Sequence, residues 1–423
     1  EPRAELNFGF FNMFPGLSAA SPKLPGRPPE LKGKIAARWS GVLVAPADGE
    51  YPLALTYLGT ARLLLDGKVL IDVETPPVAE YAPSRIPVGL PPGTRETQIK
   101  TAVADVELVA GRTYDVVVEY AADAPGHWIF GEAMLRLGWQ APGGVVSPAI
   151  AEAAALAARS DVAVVVVRTY ETEEMDRPNL RLPNEQDVLI RAVAAANPKT
   201  VVVLMNAAPV AVSAWEAAVP ALVEAWFGGQ EQGNAVARVL FGDVNPGGKL
   251  PITFPRDERA TPLATAEQYP GVDGKVHYTE ALNVGYRGYD SLGLAPQFPF
   301  GHGLSYTSFE YADLRVSPPA GGHTAPIPVD FVVANSGERA GTEVAQVYIA
   351  PAATPHGKRL VGWARVGLAA GERRQVRVVL DPQSAEHPVS TWNVNTHAWE
   401  IVAGDYHVYV GASSRDIRLA GRF

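Results

Sequence analysis

Residues 160–177 read SDVAVVVVRTYETEEMDR, and this stretch decides how the middle of the chain folds. Its first half is a nearly unbroken valine run. β-Branched side chains are stiff at χ1 and favour the pleated conformation, so 162–167 is expected to be a strand. The run does not alternate with polar residues, which is the pattern of a strand buried on both faces of a parallel sheet. An Ala-rich segment at 150–158 reads as a helix before it. After it, 184–197 carries Val188, Leu189, Ala192, Val193 and Ala196 on one helical stripe, with Asn184 as the expected N-cap and Glu185 and Asp187 in the first turn. A strand at 200–205, a helix near Trp215, a strand at 221–225 and a helix at 230–241 continue the series. Alternating strands and helices give an α/β sandwich with a parallel sheet, assigned to residues 143–255 and short enough to be a partial one.

The flanks are of another kind. In residues 1–142, Leu6, Phe8 and Phe10 alternate, as do Val42 and Val44, then Val116, Val118 and Tyr120, then Leu135, Leu137 and Trp139. Asp66-Gly67 between two apolar runs is a hairpin signal of type I′. This first domain is expected to be an all-β sandwich or barrel, interrupted by a long Pro- and Gly-rich loop at 76–100. Residues 256–306 read as an irregular, aromatic-rich connector. Residues 307–423 alternate again, at Val329/Phe331/Val333, Val344/Gln346/Tyr348, Val376/Val378/Leu380 and Tyr406/Val408/Val410, between turns at Gly337, Gly371 and Gly404. A second, C-terminal β-sandwich follows, and the whole is a multidomain α/β plus all-β chain.

Composition agrees with this division and removes several functions. A chain of 423 residues suggests about three domains. With 47% hydrophobic and 19% charged residues it is no disordered polymer. Lys+Arg 36 against Asp+Glu 45 leaves a net charge of −9, so a basic footprint for nucleic acid is absent. A neutral polar substrate such as a carbohydrate suits this surface better. The absence of cysteine removes disulfides, thiolate metal sites and cysteine nucleophiles. No apolar run reaches the length of a membrane span. The chain opens Glu1-Pro2-Arg3, with neither an initiator Met nor a signal-like segment, and is expected to be part of a longer polypeptide. The compartment stays open, with the periplasm or secretion favoured over the cytoplasm.

The densest titratable cluster is Glu171, Glu173, Glu174 and Asp176 with Arg168 and Arg177 on either side. It follows the valine strand, and open α/β sheets bind ligands at the carboxyl ends of their strands. Crowded carboxylates hold protons to higher pH, so one of them could protonate a leaving oxygen near neutrality. The competing reading is a solvated acidic loop balanced by Arg177. Gly228-Gly229 before a helix could cradle an anion, but it lacks the lysine of a phosphate loop and fits a tight turn better. No His pair has metal-ligand spacing and no Gly-x-Ser-x-Gly elbow occurs, so neither a metal nor a cofactor is expected. His127-Trp128 could stack on a sugar or pack within the first sandwich.

YETEEMDR at 170–177 with LRLP at 180–183 resembles the segment W-E-(S/T)-E-G-x-D-R…L-x-L-P of glycoside hydrolase family 3 β-glucosidases. The resemblance continues through PALVEAWFGGQEQG (220–233), LFGDVNPGGKLPITF (240–254), FPFGHGLSY (298–306) and GDYHVYVGASS (404–414). Gly49-Glu50-Tyr51 and the hairpin at 61–71 are similar to the PA14 module found in one branch of that family, and the C-terminal sandwich is similar to its fibronectin type III-like domain. The resemblance implies a retaining, exo-acting β-glycosidase that removes terminal β-D-glycosyl residues. It makes Glu173 the general acid/base, with Glu171, Asp176 and Arg177 supporting its loop and Tyr170, His127 and Trp128 near the substrate. Glu174 stands where the family has glycine. The nucleophile of the family is an Asp on an N-terminal (β/α)8 barrel that this chain does not contain. The first part of the α/β sandwich is missing with it, so the barrel is an implied partner, in cis or as a separate chain, and this portion alone is expected to be inactive. Calcium-binding PA14 modules use paired Asp residues; no Asp-Asp pair occurs here. Two rival readings are a non-catalytic carbohydrate-binding or scaffold protein derived from such an enzyme, and a purely structural module.

Overall fold

The computed structural model describes residues 6–10, 35–74, 100–122, 133–139, 141–142, 146–169, 177, 179–263, 265–269, 271–317, 322–352 and 357–423. The chain divides into two compact units, Glu1–Ala149 with Asp273–Lys275, and Ile150–Val272 with Val276–Phe423.

The described strands of the first unit are β1 (Leu6–Phe10), β2 (Ile35–Val44), β3 (Gly49–Leu58), β4 (Thr60–Leu65), β5 (Lys68–Glu74), β6 (Lys100–Leu108), β7 (Thr113–Ala122) and β8 (Ala133–Trp139). They form two antiparallel sheets, β1-β8-β3-β6 and β2-β7-β4-β5. Period-two alternation turns Tyr51, Leu53, Leu55 and Tyr57 of β3 to the same core as Ala61, Leu63 and Leu65 of β4 and Val118 and Tyr120 of β7. Asp66 and Gly67 both take positive φ, 47° and 76°, and join β4 to β5 as a two-residue hairpin.

In the second unit, α1 (Pro148–Ala158) leads to β9 (Ala163–Arg168), α2 (Gln186–Ala196), β10 (Thr200–Met205), β11 (Ala221–Glu224) and α3 (Gln232–Leu240). The sheet is parallel, in the order β11-β10-β9. Ala157 of α1 and Ile190 and Val193 of α2 share a core with Val165, Val167, Val202 and Leu204. The sequence led us to expect strands covered on both faces, and β9 departs from this. Its Val165 and Val167 are buried, while Val164 and Val166 are 49% and 56% exposed. Among the described residues the strand lies at the edge of the sheet, and the helices cover only one side of it. Two local expectations also change. Glu185, not Asn184, stands at the N-cap of α2, in the left-handed region and without a side-chain capping bond. The helix near Trp215 is a single 3-10 turn, Glu216–Ala218.

A long segment follows, containing one short helix, α4 (Tyr286–Ser291). Then come β12 (Phe309–Val316), β13 (Ile327–Asn335), β14 (Gly341–Pro351), β15 (Arg359–Leu368), β16 (Arg373–Leu380), β17 (Ser390–Asn393), β18 (Ala398–Ile401), β19 (Tyr406–Gly411) and β20 (Ile417–Arg422). Sheets β12-β13-β16 and β15-β14-β19-β20 close over Val329, Phe331, Val333, Val347, Val408 and Val410. Strand β14 is buried on both sides. Ala345, Val347 and Ile349 enter the sandwich core, whereas Gln346 and Tyr348 on its other face meet the preceding segment. The Gln346 amide donates to the carbonyls of Gly301 and Ala412, and Asp290 of α4 accepts from Lys358 and Arg415. Residues 240–306 therefore fasten the parallel sheet to the C-terminal sandwich.

Candidate functional site

The three parallel strands finish on one edge, at Arg168, Met205 and Glu224. The ladder runs one step further, with the Thr169 amide donating to the Met205 carbonyl (3.1 Å) and that of Ala225 to Leu204 (2.9 Å). Thr169 and Asn206 sit at these ends fully buried. The Asn206 amide donates to the Ala208 carbonyl at 2.7 Å, while its Oδ1, also buried, meets no hydrogen-bond donor among the described residues. After β11, Trp226 takes a positive φ of 50°, its amide donating to Glu224 and its carbonyl accepting from Gln232. Gly228-Gly229 complete that tight turn; a Cβ on Gly228 would come within 3.1 Å of the Gln232 side chain.

The acidic segment expected from the sequence starts one residue beyond Thr169. Tyr170, Glu171, Glu173 and Asp176 lie outside the described residues, as do Glu174, His127, Trp128 and residues 76–99. Arg177 is described. Its guanidinium donates to the Pro209 carbonyl, which ties the returning chain to the loop after β10. The return is held at further points. The Leu180 amide donates to Glu258 (3.0 Å), and the Leu180 carbonyl accepts from Ala211 (2.8 Å). At the foot of α2, Asp187 accepts a 2.6 Å hydrogen bond from the indole N–H of Trp215. Burial raises the pKa of this carboxyl, with the Trp215 bond and the Arg191 and Arg181 charges opposing.

One residue that sequence reasoning missed braces the end of β9. Gln186, the first residue of α2, accepts from the Arg168 amide through Oε1 and donates to the Arg168 carbonyl through Nε2, each at 2.8 Å. The same Nε2 donates to the Pro183 carbonyl, also at 2.8 Å. The amide in the first turn after LRLP was the available signal, but nothing in a helical stripe says that it reaches back to a strand. Among the described residues no group of three or more His, Asp or Glu could hold a metal.

Comparison with known proteins gives this edge of the sheet a context. The model described as glycosyl hydrolase family 3 C-terminal domain matches residues 37–306, and that described as fibronectin type III-like domain matches 343–414. A probable beta-glucosidase I of Aspergillus terreus is 37% identical over 396 residues, which is 89% of this chain and 45% of that protein. The crystal structure of a beta-glucosidase from Kluyveromyces marxianus in complex with glucose matches with a TM-score of 0.62 at 33% identity, covering 92% of this chain and 44% of that one. A beta-glucosidase from Streptomyces venezuelae in complex with D-glucose matches with a TM-score of 0.64 at 33% identity, over 99% and 49%. The chain thus spans a little under half the length of the relatives it matches. With the family model covering well over half of its residues, the chain belongs to the glycosyl hydrolase family 3 C-terminal domain family.

Proposed function

We propose that this chain is the C-terminal part of a retaining, exo-acting β-glycosidase of β-glucosidase type, with Glu173 as its general acid/base. The observation that carries the reading is positional. Strand β9 ends at Arg168 on the carboxyl edge of the parallel sheet, where open α/β sheets receive ligands, and residues 170–176 come next but one in the sequence. Four carboxyl groups follow within that segment, and relatives over this region are named beta-glucosidases. Glu173 would protonate the glycosidic oxygen as the aglycone leaves, then take a proton from the water that releases the sugar. Glu171 and Asp176 would raise its proton affinity through charge repulsion, Arg177 would hold the returning limb, and Tyr170 would line the sugar site.

The nucleophile is an Asp on a (β/α)8 barrel that acts with this chain, in cis or as a separate chain, its carboxyl about 5–5.5 Å from Glu173 as retention requires. This portion alone then holds one of two catalytic groups and does not turn over. We divide the chain into a PA14-like domain (1–142), the second part of an α/β sandwich (143–255), a connector (256–306) and a fibronectin type III-like domain (307–423). We assign His127 and Trp128 of the PA14-like domain to substrate binding as well. A second reading, a non-catalytic sugar-binding protein, draws on Glu174, which adds a charge where the family has glycine.

The test uses the full-length polypeptide and a set of nitrophenyl glycosides. Turnover should be strongest on a β-glucoside. Glu173→Ala should abolish glycosyl-enzyme formation from poor leaving groups and keep it for activated ones, for which azide should speed the slowed release of the sugar as glycosyl azide. Sugar binding without turnover by the unmodified protein selects the second reading, and full activity of Glu173→Ala on unactivated glycosides removes the first.

A further inference from the structure

We propose that the cleft where the segment after α3 meets the C-terminal sandwich is a carbohydrate-binding site, taking a neutral mono- or disaccharide. The proposal stands whether or not Glu173 is the acid/base. The cleft has a volume of about 490 Å³, within the range of about 300–1,000 Å³ that small-molecule sites occupy. Its walls come from three parts of the second unit: residues 246–249, residues 303–310 entering β12, and the start of β14 with the turn from β19 into β20. These walls are braced by their own contacts. Asn245 accepts from the Ser305 hydroxyl (2.9 Å) and the Tyr306 amide (2.8 Å) and donates to the Ala340 carbonyl (2.9 Å). Lys249 donates to the Gly303 carbonyl at 2.9 Å. A site already held in shape loses little conformational freedom when a ligand enters.

The charges select the ligand. Five charged residues line the cleft, and four of them are paired with each other: Lys249 with Glu343 at 2.9 Å, and Arg418 with Asp416 at 2.8 Å. The fifth, Glu310, has no ion-pair partner among the described residues. The lining therefore carries one negative charge in excess, which disfavours phosphate, sulfate or another anion. Nor do its carboxylates make a cation site, since no group of three or more that could hold a metal occurs among the described residues. What remains is a surface of mixed hydrogen-bonding sense. Glu310 only accepts, the heads of Lys249 and Arg418 only donate, and the Ser308 and Thr342 hydroxyls do both. A sugar hydroxyl donates and accepts in turn, so it can use all three kinds. Phe309 and the 78%-exposed Leu304 supply apolar surface for the C–H face of a sugar ring. Beside Glu343, Asp416 and Arg418 lies one more donor. The Tyr311 hydroxyl is buried and meets no hydrogen-bond partner among the described residues, and it keeps its proton because burial and the Glu343 charge raise its pKa.

Hydrogen exchange in the full-length polypeptide, read segment by segment, tests this with glucose as the probe. Rising glucose should slow exchange at 247–249, 303–310 and 412–418 together, and the effect should saturate. Glu310→Ala removes the unpaired carboxylate, and Ser308→Leu sets a larger side chain in the mouth of the cleft. Both residues are exposed, and each variant is compared with its own sugar-free state. Glu310→Ala should raise the glucose concentration for half-protection about tenfold, the equivalent of one hydrogen bond to a charged group. Ser308→Leu should abolish the protection of these segments. Glucuronate, the same ring with a carboxylate, should protect them less than glucose does. Glucose protection that never reaches the three segments, or that reaches them undiminished in both variants, overturns the proposal. Stronger protection by glucuronate than by glucose makes the cleft an anion site and overturns it equally.

Discussion

The Nζ of Lys249 lies 2.9 Å from Oε1 of Glu343, with the two side chains only 12% and 6% exposed. Lys249 comes from the segment after α3 and Glu343 from β14, so the pair joins the parallel-sheet half of the second unit to the sandwich. Neither charge stands alone: Lys249 also donates to Gly303 O at 2.9 Å, and Glu343 accepts from the Val344 amide at 2.7 Å. Removing one partner strands a buried charge. Glu343→Leu should therefore cost about 3–5 kcal/mol in a urea titration, whereas Lys249→Met combined with Glu343→Leu should recover most of it. Equal losses in the single and the double variant would mean that packing, not charge, dominates this contact.

The same junction leaves no room beside its glycines. A Cβ on Gly303 would lie 2.2 Å from the Gly248 carbonyl oxygen, and Gly301, at a φ of 81°, would place one 2.1 Å from Gln346 Oε1. Backbone cannot step aside as a flexible side chain can. Gly303→Ala is expected to lower stability by about 2–3 kcal/mol. Gly233→Ala, in α3 with nothing within 4 Å, should instead be neutral or stabilising. Thermal midpoints of the two variants give the comparison, and a tolerant Gly303 would contradict the crossing described here.

Asp187 and Trp215 make a prediction in which sign matters. Burial raises the Asp187 pKa, so the fold prefers the protonated acid. Its contribution to stability is then fully present below the ordinary aspartate value of about 3.9 and is lost as pH rises through the raised folded value. Asparagine is neutral and keeps an acceptor for the indole N–H, so Asp187→Asn should match or exceed the wild type at neutral pH. Asp187→Ala leaves the N–H of a 2%-exposed tryptophan without its acceptor and should cost about 1–3 kcal/mol. An asparagine variant as unstable as the alanine one would assign a favourable role to the charge itself.

How much of this could be read beforehand follows from where each signal resides. The valine run at 162–167 and the Asp66-Gly67 turn are local, and both formed the elements their residues favour. Gln346 and Tyr348 also alternate locally, but alternation cannot say that both faces of β14 are buried, because the second face is covered by residues more than forty positions away. The long motifs around Asn245–Lys249 and at 298–306 are in the same position. They resemble the family strongly, yet the described contacts give them structural work: Asn245 accepts from Ser305 and Tyr306 and donates to Ala340. Gln186 was the residue least accessible to sequence reasoning. A glutamine at the start of a helix ordinarily faces solvent, and only the pair of left-handed residues before it, neither of them glycine, turns it onto β9.

His302 carries the last prediction, with the opposite sign to Asp187. Burial pushes its imidazole pKa down, the nearby Lys249 charge adds to this, and Asp416 opposes. The ring stacks on Phe298 with centroids 5.3 Å apart, and its backbone carbonyl accepts from Leu250 at 2.8 Å, so the side chain is fixed inside the junction. The folded state thus prefers the neutral ring. Stability from this preference is complete above the ordinary histidine value of about 6.5 and is lost as pH falls through the lowered folded value. Urea midpoints measured from about pH 7.5 down to about pH 5 should decline on the acid side in the wild type. His302→Phe keeps an aromatic face for Phe298 and cannot take up a proton, so its decline over the same interval should be shallower. An identical acid limb in both proteins would move the sensitivity to another group. A shallower one would show that protonating one half-buried ring loosens the contact between the parallel sheet and the sandwich.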